Sequence, residues 1–188
     1  MIEVEITPAI IVRAEEMFAA ARSTNSMRFR SEKAKGNTTW TGCVGQAVFE
    51  KVLADRAIPM RFINATTHDY EVCGLKVDVK SKSWARPARG DVEVSVFDYI
   101  SDHQTVDYYA FVHLQRAPGE DPDGPPSAKR FQKAWLLGVM DKSQYFKLAH
   151  EVKEGTVFES GRIAKANSHN LAAENLLPVE TIGGSENE

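Results

Sequence analysis

The sequence predicts an α/β (α+β) domain, with helices flanking a central mixed sheet. Three observations predict it. Helix-period apolar spacing opens the chain, strand-like runs fill its middle, and neither a repeat nor a linker divides it. With 188 residues the chain has the length of one ordinary domain. Apolar residues make up 43% and charged residues 26%, so a core forms without help from disulfides or a structural metal. A single domain over 1–182 is expected, with a disordered polar tail over 183–188.

Thr7 and Pro8 open the first helix. Thr7 can cap it, and Pro8 sits where a missing N–H does no harm. Ile11, Ala14, Met17, Phe18 and Ala21 continue it until a Ser-Thr-Asn-Ser stretch. A cationic arm follows, with Arg28, Arg30, Lys33 and Lys35 against Glu32 alone. A second helix is expected over 42–57, ending before Pro59, with Val44, Val48, Phe49, Val52 and Leu53 as its apolar face. Strands are expected over 60–64, 69–73, 75–81 and 92–97. The run 108–114 is nearly all apolar and reads as a strand buried on both faces. Residues 117–127 carry four prolines and two glycines and form a loop. A strand over 133–140 and a short helix capped by Asp141 come next. One or two short strands and a helical turn are expected over 155–178.

Composition narrows the function. Cys43 and Cys73 make no disulfide framework and no CxxC pair, so a reducing, cytoplasmic setting is expected. No apolar run reaches the ~20 residues of a membrane span. The first residues lack the pattern of a signal peptide. A net charge of -3 excludes a strongly basic coat but not a local basic patch. There is no dinucleotide fingerprint, P-loop or nucleophile elbow. The five histidines show no ligand spacing; His68 adjoins Asp69, and His113 reads as a satisfied core residue.

Residues 69–80 carry the chemistry. On a strand over 75–81, Leu75, Val77 and Val79 face one way and Lys76, Asp78 and Lys80 the other. Asp78 and Lys80 then stand roughly 7 Å apart, because each residue rises ~3.3 Å. A turn at Gly74 folds Asp69 back toward Asp78, so two carboxylates converge. Hard divalent cations prefer such oxygen ligands and keep several waters. The competing reading is an edge strand with a solvated, charge-alternating face.

Asp69 followed by Asp78-Val79-Lys80 resembles the active-site signature of the PD-(D/E)XK nuclease superfamily. The resemblance spans about 40–115. It implies a restriction-endonuclease-like core: a helix, three antiparallel strands, a second helix and a further strand. His68 stands where the family name has proline. The compact form is similar to stand-alone phage nucleases. The triplet alone is a weak signal, since Glu151-Val152-Lys153 repeats it without an upstream acid, after a helix-like stretch.

The resemblance implies Mg²⁺, with Mn²⁺ as substitute, held by Asp69, Asp78 and the Val79 carbonyl. Lys80 would act on the attacking water and offset charge in the transition state. A third acid usually comes from the preceding helix, where this chain has Gln46; Glu50, one turn on, shares its face and is the expected substitute. The arm at 28–35 and the group Lys82, Trp84, Arg86 and Arg89 would meet phosphates and bases. The expected activity is hydrolysis of phosphodiester bonds in DNA, with RNA as the second substrate, in replication, recombination or repair. Relatives often form dimers or rings, so a homo-oligomer stays open. The rival expectation is a catalytically inactive nuclease-fold module that binds nucleic acid or a protein; Gln46 in place of an acid favours it.

Overall fold

A computed structural model describes residues 1–23, 32–63, 67–101, 104–121, 126–158, 161 and 163–184. The chain forms β1 (Ile2–Glu5), α1 (Pro8–Ser23), α2 (Glu32–Asp55), β2 (Met60–Phe62), β3 (Tyr70–Val72), β4 (Leu75–Trp84), β5 (Glu93–Phe97), α3 (Asp98–Ser101), β6 (Tyr108–Arg116), β7 (Phe131–Asp141), α4 (Lys142–Leu148), β8 (His150–Val152) and β9 (Ser168–Ala172). Six strands make the central sheet in the order β1-β7-β6-β4-β3-β2. Within it, β4 and β6 run parallel and every other neighbouring pair is antiparallel. The sheet is therefore mixed, as the sequence predicts.

One face of the sheet packs on α1 and α2. Val77 and Val79 of β4 and Ala110, Val112 and Leu114 of β6 join Val44, Val48, Phe49 and Leu53 of α2 in this cluster. The opposite face meets a second sheet, ordered β5-β9-β8, and α4. Tyr109 and Phe111 of β6 pack there with Trp135, Leu137, Tyr145 and Leu171. A strand buried on both faces needs an unbroken apolar run, and β6 supplies one. The Thr7 hydroxyl accepts from the Ile10 N–H at 3.4 Å at the start of α1. Asp141 caps α4 by accepting from the Gln144 N–H at 2.9 Å.

Two glycines are set by close approach. A Cβ on Gly45 would lie 1.8 Å from Ser81 Oγ, so its absence lets α2 settle directly on β4. Gly138 follows a bulge in β7, where Phe111 pairs with Gly138 and Val112 with Leu136, leaving Leu137 as the extra residue. Its φ of +151° and the Leu177 carbonyl 2.6 Å from a would-be Cβ require glycine.

Several expectations are corrected. α2 begins at Glu32, ten residues before the expected start, so Lys33 and Lys35 lie on a helix; Arg28 and Arg30 lie outside the described residues. The strand at 93–97 leaves the central sheet and pairs with β9. A single turn, α3, stands where the resemblance implies a second helix. β1 was not expected; it extends the sheet beyond β7. Gly183 packs on Cys73, and the Gly184 N–H donates to the Thr181 carbonyl, so the folded chain runs past 182. Glu151 lies on a strand, opposite His169 and not opposite an acid. Among the described residues no helix is long and apolar enough to cross a membrane.

Candidate metal centre

The hairpin of β3 and β4 brings the two acids together. Tyr70 pairs with Val77, Glu71 with Lys76 and Val72 with Leu75. Extending that antiparallel register by one residue sets Asp69 opposite Asp78. The turn between the strands falls at Cys73 and Gly74, both with positive φ, of 51° and 81°. Asp69 Oδ2 accepts from the Val79 N–H at 2.8 Å, which fixes its carboxylate against β4. The Gln46 side chain of α2 donates to the same carboxylate. Burial and the neighbouring Asp78 charge push the Asp69 carboxyl well above the usual carboxylate range. The hydrogen bonds from Val79 and Gln46 and the Lys80 charge offset this only in part.

Asp78 is buried, at 6% exposure. It lies on an inner strand, flanked by β3 and β6, which excludes the solvated-edge reading. Gln104 donates to Asp78 Oδ1 at 2.6 Å. Lys80 Nζ forms an ion pair with Asp78 Oδ2 at 2.6 Å and donates to Gln104 Oε1 at 3.2 Å. It also stands 5.6 Å from the centre of the Tyr109 ring. The Lys80 ammonium is thus the charge partner of Asp78 Oδ2. Two desolvated carboxyls that face each other, one of them held above its usual range by burial and that proximity, fit a divalent cation, because positive charge would relieve both. The residues present therefore suit Mg²⁺ at Asp69 and Asp78.

Gln104 and Tyr109 escaped the sequence reading. Gln104 sits in a loop without periodicity, and no local pattern marks its reach to Asp78. Tyr109 is visible only as one apolar residue in the β6 run. Its role follows from the parallel pairing of Asp78 with Tyr109.

Glu50 lies elsewhere. Arg13 of α1 donates to Glu50 Oε2 at 2.8 Å and to Oε1 at 2.9 Å. The Tyr70 hydroxyl donates to Oε1 at 3.2 Å. Three donors engage this carboxylate, so Gln46, not Glu50, is the α2 side chain at the paired acids. Among the described residues no group of three or more His, Cys, Asp or Glu could hold a metal ion. Any site here is a two-carboxylate site completed by backbone and water.

His113 is held as a core residue. Its Nε2 lies 2.8 Å from the Arg86 carbonyl, and its ring meets Trp84 and Trp135 edge-on. Burial lowers its pKa. Trp84 also lies under Lys82, whose Nζ is 4.9 Å from its ring centre. Lys82, Trp84, Arg86 and Arg89 line a groove of about 840 Å³ together with Lys80. Lys80, the ion-pair partner of Asp78, is the residue this groove shares with the paired acids.

No family model, curated protein or solved structure matches this chain. Functional assignment therefore rests on the geometry of Asp69, Asp78 and Lys80.

Proposed function

We propose that the protein is a metal-dependent nuclease that hydrolyses phosphodiester bonds in DNA. The observation that carries this reading is Asp69 set across from Asp78, with Lys80 on the same strand lining a cationic groove. The chain order supports it: a helix, three antiparallel strands, then a strand parallel to the third. That is the order of a restriction-endonuclease-like core, here with β5 and one helical turn in the crossover.

Asp69 and Asp78 would hold Mg²⁺, with the Val79 carbonyl as a further ligand. When bound, such a cation lowers the pKa of coordinated water and offsets charge on phosphoryl oxygens. Lys80 has three N–H donors, and Gln104 and Asp78 engage two of them. The third can orient a water, and the ammonium charge can offset charge that grows on the phosphoryl group. The water oxygen bonds to phosphorus as the ester P–O bond breaks, and the departing oxygen gains a proton. Gln46 positions Asp69, and Gln104 positions both Asp78 and Lys80.

The test is plasmid cleavage with Mg²⁺ or Mn²⁺, beside titration calorimetry with Mn²⁺. Divalent-dependent cleavage that disappears in Asp78→Asn is expected. Failure to bind Mn²⁺ in the low-millimolar range, together with absent cleavage, overturns the reading. Such a result would favour an inactive module that binds nucleic acid or a protein. The engagement of Glu50 by Arg13 is the observation on that side, because it removes the expected third acid.

A further inference from the structure

The groove beyond Lys80 has three properties that belong together. First, its rim is cationic: Lys82, Arg86, Arg89 and Lys165 line it with Lys80. Arg86, Arg89 and Lys165 make no ion pair among the described residues. Of the two acids in the wall, Glu93 accepts from Asn170 at 3.1 Å and faces His150 at 3.3 Å. Second, its walls present large apolar surfaces to solvent. Phe97 is 36% and Ile163 61% exposed, and Trp84 is half-buried. Exposed apolar side chains set among cations call for a ligand with both anionic and flat apolar parts. Third, the groove is an open cleft between β4 and the second sheet. Its volume of about 840 Å³ lies within the roughly 300–1,000 Å³ of sites that surround a ligand. A double helix buries its base faces in its own stack and can only rest on such a rim.

We infer that this groove takes a single-stranded nucleic acid, with phosphates on Arg86, Arg89 and Lys165 and unpaired bases against Trp84, Phe97 and Ile163. The inference rests on the nuclease reading for its direction only, because the strand would lead toward Lys80 and the paired acids. Base stacking on aromatic rings tolerates any sequence, and cations along the rim follow the backbone. The apolar wall separates this occupant from a plain polyphosphate or an acidic peptide, neither of which fills it.

Fluorescence anisotropy with labelled oligo(dT), oligo(U) and a short duplex, in EDTA across a salt series, tests the inference. The single strands should bind at least tenfold more tightly than the duplex, and the dT and U arms distinguish DNA from RNA. Replacing Arg86, Arg89 and Lys165 together with alanine should flatten the salt slope by about two units, at ~0.7 per phosphate contact on single strands. Ile163→Asp, an exposed substitution, should weaken single-strand binding about tenfold while leaving the unfolding curve unchanged. Preference for the duplex, or indifference to both variants, overturns the inference. Single-strand binding by a protein that neither binds Mn²⁺ nor cleaves would retire the nuclease reading and leave the groove assignment standing. Cleavage without single-strand preference would do the opposite.

Discussion

Arg13 on α1 donates two hydrogen bonds, of 2.8 and 2.9 Å, to the carboxylate of Glu50 on α2. The Tyr70 hydroxyl of β3 adds a third at 3.2 Å, so one carboxylate ties both helices to the sheet. Arginine's planar fork matches a carboxylate in this two-bond geometry. Glu50 is thereby a structural anchor.

Glu50→Gln should therefore lower stability by about 1–3 kcal/mol, the usual cost of leaving a partner of a partly buried polar pair unsatisfied. Urea unfolding measures it. The folded variant should retain Mn²⁺ affinity. Gln46→Ala should behave oppositely, weakening Mn²⁺ binding with a smaller change in stability. If Glu50→Gln instead abolishes metal binding in a folded protein, the helix assignment is reversed.

The Asp69 carboxyl holds its proton more tightly in the folded protein than in the unfolded chain, because it is desolvated and faces Asp78. The ordinary Asp value is about 3.9. Between that value and the raised folded one, the folded state binds more protons, so stability falls as pH rises through this window. Asp69→Asn should be more stable than wild type at pH 8 and lose that advantage below about pH 4. Mn²⁺ should stabilise the wild type at pH 8, by about 2.7 kcal/mol at one hundred times its Kd, and leave Asp69→Asn unaffected. Thermal melts with and without Mn²⁺ provide the comparison.

Lys80→Ala should cut cleavage by roughly 10²–10⁴-fold, the range of a positioned proton donor or acceptor. Mn²⁺ affinity should be no weaker, since the ammonium at 2.6 Å competes with a cation for Asp78 Oδ2. Calorimetry beside a cleavage assay separates the two effects. Joint loss of binding and activity would assign Lys80 to holding the site together.

His113 shows the reverse linkage. Burial lowers its folded pKa below the ordinary value of about 6.5. On acidification the unfolded chain takes up the proton first, so stability declines as pH falls below about 6.5. The decline ends once pH passes below the folded pKa. His113→Gln should flatten that limb of the curve, measured by urea unfolding between pH 8 and 5. An unchanged slope would move the acid sensitivity to another group.

Local chemistry made much of this protein legible in sequence. Thr7 and Asp141 act through bonds three residues away, which a sequence displays directly. The alternation of β4 and the continuous apolar run of β6 announce which faces are buried, because side-chain direction follows the strand period. The same alternation placed Asp78 and Lys80 on one face, and the Gly74 turn returned Asp69 toward them. Partnership was decided only in three dimensions. Glu50 and Gln46 share a helix face, and the choice between them depended on Arg13 arriving from α1, 37 residues away in sequence. Gln104 reaches Asp78 from a loop 26 residues on. β1 is four residues of weak alternation that become a strand because β7 offers it an edge. β5 reads like a central strand, yet it pairs with β9 to form the groove wall. Periodicity reports that a face is buried, whereas the identity of what covers it is set by chain topology, which no local pattern encodes.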